Sequence, residues 1–206
     1  MPGSMPLSTS LFQEGIIIPP LKLISRGRLR KELLSLILAN VRTPVEREGD
    51  LSAQLAACET GARRLAEMNA RYGLAELEAA SSALLDYAEE LMRQTLKRIP
   101  AGVYSYTDYL DDDGLGTKNI PIHAAVSILE GAANIDFSGT APQVKGCVNA
   151  VFAITLSCVY YVFRCLAPKI MPSNAGYFRP LSVNAPAGSI VNASAPAPVA
   201  GGNVET

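Results

Sequence analysis

Apolar residues recur along this chain with two periods. From Lys31 the period is helical: Leu33, Leu34, Ile37 and Leu38 share one face. Pro44 predicts an early end to that helix. Gly49-Asp50 reads as the cap of a long helix, in which Leu51, Leu55, Cys58, Ala62 and Leu65 recur at alternating steps of four and three. Gly73 fits the left-handed residue that closes it. A second long helix repeats the steps at Leu74, Leu77, Ser81, Leu84, Ala88 and Leu91, with Glu89, Glu90, Arg93, Lys97 and Arg98 on its other side. Pro100 and Gly102 stop it. The short connection at Tyr72-Gly73 predicts an antiparallel helical hairpin.

The period then falls to two. Val103, Ser105, Thr107 and Tyr109 alternate with Tyr104, Tyr106, Asp108 and Leu110, which predicts a strand. After a turn at Asp111-Asp112-Asp113-Gly114, Ile120, Ile122, Ala124, Val126 and Ile128 share one face of a second strand. Glu130-Gly131 turns again, and Ile135 and Phe137 mark a third strand, so an antiparallel β meander is expected. Val148–Leu166 is the longest apolar stretch. Asn149, Thr155, Ser157 and Arg164 interrupt it and Pro168 follows, which predicts a buried helix starting near Asn149 rather than a membrane span. Beyond Pro168 the chain is rich in Pro, Gly, Ala and Asn, with Leu181, Val183, Ile190 and Val191 as strand candidates.

The first 30 residues read as an extended arm. Pro2, Pro6, Pro19 and Pro20 exclude a long helix, and Ile16-Ile17-Ile18 suits a short strand or a buried extended arm. Arg26, Arg28, Arg30 and Lys31 read as a solvated helix start, with an anion site as the alternative. The expected fold class is α+β: an arm over 1–30, a helical region over 31–100 and an α+β region over 101–206, packed as one unit.

Composition narrows the chemistry. The chain has 206 residues, 49% apolar and 18% charged, enough for a packed core. Lys and Arg total 18 against 19 acids, so no global field draws it to nucleic acid or anionic lipid. His123 is the single histidine, so a His-rich metal site is excluded within the chain. Cys58, Cys147, Cys158 and Cys165 have no CxxC spacing and read as small buried thiols of a reducing compartment. The opening residues have neither the basic start nor the apolar stretch of a secretory leader, so a cytoplasmic location is expected.

Short motifs give little catalytic signal. Asp111-Asp112-Asp113-Gly114 has consecutive acids, not the alternating acids of a calcium loop, and reads as a solvated turn. Gly114-Leu115-Gly116-Thr117-Lys118 lacks the spacing of a phosphate-binding loop and lies between strands. His123 lies opposite the isoleucine row and reads as a surface or satisfied histidine. In Thr60-Gly61-Ala62-Arg63-Arg64, the helical glycine suits close packing or ligand approach, and the arginines suit either a bidentate anion clamp or a solvated face.

Taken together, the motifs resemble the hydantoinase B/oxoprolinase family. They are Gly49-Asp50-Leu51-Ser52-Ala53-Gln54-Leu55-Ala56-Ala57, Thr60 through Leu65, Tyr109 through Gly114 and Asp136-Phe137-Ser138-Gly139-Thr140. Further along come Pro142-Gln143-Val144-Lys145-Gly146, Val148-Asn149-Ala150, Asn174-Ala175-Gly176, Phe178-Arg179-Pro180 and Ala197 through Thr206. The opening Pro2-Gly3-Ser4-Met5 and Glu14-Gly15-Ile16 through Leu21 fit as well. Family members are longer on both sides, so this chain is expected to be an internal piece of a longer subunit.

The resemblance implies ATP-dependent opening of cyclic amides such as hydantoins and 5-oxoproline, with acetone carboxylase subunits as relatives. It implies an oligomeric assembly in which an A-type partner subunit carries the nucleotide-binding fold. Divalent metal and ATP belong to the intact complex and no cofactor to this piece; the family's His and Asp metal motifs lie upstream. No nucleic acid or membrane partner is implied. Oxyanion charge developing on a small cyclic amide substrate would need donors. The expected substrate contacts are Arg63, Arg64, Asn149, Arg179 and the Gly201-Gly202-Asn203 turn, each a polar group or open backbone among small residues. No catalytic residue is assigned. The alternative is a non-catalytic scaffold that docks the A-type subunit.

Overall fold

The structure, a computed structural model, describes residues 7–205. The Pro2–Met5 motif and Thr206 lie outside the described residues. The chain divides into two compact units, one of residues 1–14, which hold the one-turn helix α1 (Leu11–Glu14), with 81–206, and one of Gly15–Ala80.

In the Gly15–Ala80 unit, Ile16, Ile17 and Ile18 are exposed and form no strand. Strands β1 (Ile24–Ser25) and β2 (Arg28–Leu29) pair as a tight hairpin. Its turn is Arg26 and Gly27, at φ 51° and 73°, the two left-handed positions that match the twist of paired strands. The basic run is therefore split: Arg26 and Arg28 lie in the hairpin, and helix α2 (Lys31–Ala39) starts after Arg30. Helix α3 runs Pro44–Tyr72. Pro44 begins this helix instead of ending the one before, because its fixed φ suits the first helical position. Gly49 and Asp50 thus lie inside α3, not at its cap. Gly73, at φ 83°, closes it as predicted.

Helix α4 (Leu74–Leu96) follows at once. The predicted stripes are not buried as a packed hairpin requires. No residue of α3 is buried, Leu65 is 60% exposed, and on α4 Leu74 and Leu84 are 59% and 50% exposed. What α4 buries is Ala88, Met92, Thr95 and Leu96, a face turned slightly from the predicted one. The cause is a partner far along the chain. A 3₁₀ turn at Ala175–Phe178 lies against α4 so closely that a Cβ on Gly176 would come 2.0 Å from the Leu85 carbonyl oxygen. Asn174 Nδ2 donates to the Leu84 carbonyl beside it, at 3.2 Å.

The four-stranded sheet has the order β3 (Gly102–Asp112), β4 (Lys118–Leu129), β5 (Ala132–Asp136), β6 (Leu181–Asn184). The first three form the predicted antiparallel meander. Strand β6 runs parallel to β5 and is reached through helix α5 (Phe152–Leu166). Ile128, Ala133, Ile135 and Leu181 pack with Ala88, Met92 and Leu96 of α4, and with Val159 and Phe163 of α5. Each such large side chain contributes roughly 1.5–3 kcal/mol. A second cluster joins Ile120 to Ala185, Ile190 and Val191. Ile190 and Val191 are buried but lie in turns, not in a strand.

Helix α5 starts at Phe152 and is only half-buried: Thr155, Val159 and Phe163 face the core, while Tyr161 and Val162 are 71% and 55% exposed. Of the cysteines only Cys147 is buried; Cys58 and Cys165 are exposed. No helix among the described residues is long and apolar enough to cross a membrane. The chain closes with the one-turn helix α6 (Gly202–Glu205).

Candidate functional site

Alternation along the strands gives the sheet two unlike faces. Ile120, Ile122, Val126 and Ile128 face the core, so their neighbours face away. Across β4, β5 and β6 the register sets Ser127 opposite Asn134 and Asn134 opposite Ser182. One row further on, Asp136 pairs with Asn184, and Thr107 of β3 pairs with His123 of β4. These side chains bond to each other: Ser182 Oγ donates to Asn134 Oδ1 at 2.9 Å, and Asn184 Nδ2 to Asp136 Oδ1 at 2.8 Å. His123 Nδ1 lies 2.8 Å from Thr107 Oγ1. Three bonds, from the Ser138 hydroxyl and amide and from Asn184, hold the Asp136 carboxyl below its usual range.

The Ser127–Asn134–Ser182 row forms one wall of an open groove of about 570 Å³. Arg93 of α4 and Arg179, just before β6, also line it. One carboxylate orients both arginines: Glu89 Oε1 accepts from Arg93 Nε and Nη2 at 2.9 and 2.7 Å, and Glu89 Oε2 from Arg179 Nη1 at 3.1 Å. Arg179 Nη1 also donates to Asp86 at 2.7 Å. The hydrogen bond from Arg93, then that from Arg179, holds the Glu89 carboxyl low. Both of these Arg179 hydrogen bonds use Nη1; Nε and Nη2 donate to no described residue. The groove thus offers guanidinium donors on one side and hydroxyl and amide groups on the other. That combination can hold a planar amide, which has one acceptor and one donor.

Of the residues expected at a substrate site, Arg179 alone lines this groove. Arg63 and Arg64 belong to the other unit, exposed on α3 and paired with Glu67 at 4.0 and 3.4 Å. Nothing lies within 4 Å of a Cβ placed on Gly61, so no close approach explains that glycine. Asn149 is fully buried, and its amide is spent on backbone. Nδ2 donates to the carbonyls of Val144, Gly146 and Pro198, each at 2.9 Å, and Oδ1 accepts from Val144 N at 2.8 Å. Gly201 and Gly202 lie against the same loop; a Cβ on Gly202 would come 2.1 Å from the Asn149 carbonyl oxygen. Asn203 is exposed and its amide bonds to the Val199 carbonyl.

Sequence reasoning did not single out Glu14. Its carboxylate accepts from Val199 N and Ala200 N at 2.8 and 3.0 Å, across more than 180 residues, and no local pattern announces that pairing. Sequence reasoning places Glu89 and Arg93 on the polar side of the second long helix, but only the fold adds Arg179. Among the described residues no three His, Cys, Asp or Glu side chains come together to hold a metal ion, so these residues do not fit a metal centre.

The profile of the hydantoinase B/oxoprolinase family matches residues 1–206. An uncharacterized protein of Methanocaldococcus jannaschii is 38% identical over 206 residues, 100% of this chain and 36% of that protein. Caprolactamase subunit beta of Pseudomonas jessenii is 36% identical over 197 residues, 95% of this chain and 34% of that subunit. The crystal structure of the ATP-dependent caprolactamase from the same organism superposes with a TM-score of 0.88 at 34% identity, over 98% of this chain and 36% of that one. Nucleotide-free acetone carboxylase shares the fold, with a TM-score of 0.81 at 18% identity, over 95% of this chain and 28% of that one. The chain spans about a third of the length of the first two relatives.

Proposed function

The chain belongs to the hydantoinase B/oxoprolinase family, and from that premise we propose that it is part of the B-type subunit of an ATP-dependent cyclic amidohydrolase. In this reading the assembly opens hydantoin- or 5-oxoproline-like lactam rings in the cytoplasm, together with an A-type partner that handles the nucleotide. The observation that carries the reading is the 36% identity to the caprolactamase beta subunit over 95% of this chain. The matching fold supports it.

A lactam resists water because its carbonyl is stabilised by the ring nitrogen. Attack on the carbonyl builds negative charge on its oxygen, and fixed donors lower that cost. Arg179, whose Nε and Nη2 are not used by these bonds, supplies such donors, and Glu89 and Asp86 set its orientation. Asn134 and Ser182, bonded to one another, present polar groups to the ring nitrogen. Asn149, Gly201 and Gly202 act by fixing the loops, and Asn203 lies exposed at the adjoining turn. Arg63 and Arg64 are exposed anion contacts for the assembled complex.

The test is reconstitution of the whole subunit with its A-type partner, supplied with ATP and with caprolactam, hydantoin or 5-oxoproline, measuring release of the ring-opened acid. Ring opening that needs ATP and both subunits is expected. Arg179→Ala is expected to lower turnover by about 100-fold. Unchanged turnover in Arg63→Ala removes that residue from the reaction. The exposed apolar positions of α3 and α5 favour a second reading, a scaffold that docks the A-type subunit. Under it, Arg179→Ala leaves turnover intact while Leu65→Glu loses the complex.

A further inference from the structure

The Gly114–Lys118 segment, which has no phosphate-loop spacing, acquires a second wall in the fold. Residues 115–121 and residues 141–145 line one open cleft of about 560 Å³. Lys118 stands on the first wall and Lys145 on the second, and no acidic residue lines the cleft. Lys118 sits across the ladder from Asp112, yet neither lysine makes an ion pair with a described residue. Asn119 and Gln143 add neutral polar side chains; Gln143 Oε1 is taken by Ser194 N, which leaves its NH₂ as a donor.

The two walls are tied by a buried carboxylate. Asp113 is 2% exposed; its Oδ1 accepts from Leu115 N and Thr117 N, both at 2.9 Å, and its Oδ2 from Gly146 N at 3.3 Å. Gly146 lies so close that a Cβ there would come 2.0 Å from the Asp113 carbonyl oxygen. The Asp113 charge is spent on these backbone donors, while both lysines stay on a pre-shaped cleft. Two cations on one cleft whose lining holds no acid favour a small anion there.

We propose that this cleft binds a phosphate oxyanion between Lys118 and Lys145, with Gln143 as a neutral donor. The site is separate from the arginine groove and independent of ring opening.

The experiment titrates the full 206-residue chain with inorganic phosphate at low ionic strength, where surface attraction is least screened. Calorimetry gives the affinity, and amide chemical shifts of Gly116, Thr117 and Gly146 locate the site. AMP is titrated in parallel. Lys118→Gln and Lys145→Gln are each expected to weaken phosphate by about tenfold, and the double substitution to abolish the shifts. Both side chains are exposed, so the fold survives, checked by an unchanged unfolding midpoint. AMP binding lost in the same variants assigns the phosphate to a nucleotide; phosphate binding with AMP excluded assigns it to the free ion. Wild-type protein that shows no saturation by about 50 mM phosphate at low salt overturns the site, and so does a double variant that binds as wild type does.

Discussion

Asp113 and Asn149 are polar groups that the interior accepts because backbone satisfies them. Burial alone would push the Asp113 carboxyl up, but the amides of Leu115, Thr117 and Gly146 outweigh that and hold it below its usual range. A carboxyl lowered in the folded state stabilises the fold fully above its unfolded pKa of about 4, and that contribution is lost as pH falls through the folded value. Acid titration followed by circular dichroism is therefore expected to show stability falling below about pH 4, with a flatter profile in Asp113→Asn. Asn149→Ala strands four backbone groups at once and is expected to cost roughly 3 kcal/mol in denaturant unfolding. Sequence reasoning expects Asn149 among the substrate contacts. Its saturating partners lie at Val144, Gly146 and as far away as Pro198, and no local pattern encodes that.

Most boundaries that depend on neighbouring residues were readable, the start of α3 at Pro44 excepted. Gly73 closes α3, the period-two runs became β3 to β5, and Glu130-Gly131 turned the chain as expected. Elements whose faces depend on distant partners were not. Steps of four and three fit more than one face of α4, and the sheet, α5 and the Ala175–Phe178 turn together select Ala88, Met92 and Leu96. Gly176→Ala tests that contact: its Cβ has no room against the Leu85 carbonyl, so a loss of roughly 2–4 kcal/mol is expected in equilibrium unfolding. Leu65→Glu on α3 is the counterpart. With Leu65 60% exposed, the unfolding free energy is expected to change by less than about 0.5 kcal/mol. A larger loss would mean that the stripe is covered.

Taken whole, the chain leaves much apolar surface in water. Val45, Tyr106, Tyr161 and Ile170 are each more than 70% exposed, beside the open stripes of α3 and α5. With a net charge of −1, repulsion between copies is weak, so apolar contact dominates association. Light scattering is expected to show concentration-dependent oligomers that persist at high salt, since screening does not weaken hydrophobic contact. The same surface explains why composition pointed to a packed core without revealing a complete site. The polar row on the sheet and the arginine groove arise from strand register and from residues brought together from 93 to 182.

The first residues have a consequence for how the molecule could be taken apart. Leu11 N bonds to the Pro196 carbonyl, Ser8 is 1% exposed, and the Glu14 carboxylate grips the Val199 and Ala200 amides. The bare stretch just after them, Gly15 to Leu21, is where a protease would cut. A nick there would sever the covalent link and leave the amino-terminal peptide seated on the carboxy-terminal loops. A nicked chain of this kind could serve as a split protein, its short fragment washed out and replaced by a synthetic copy carrying a probe.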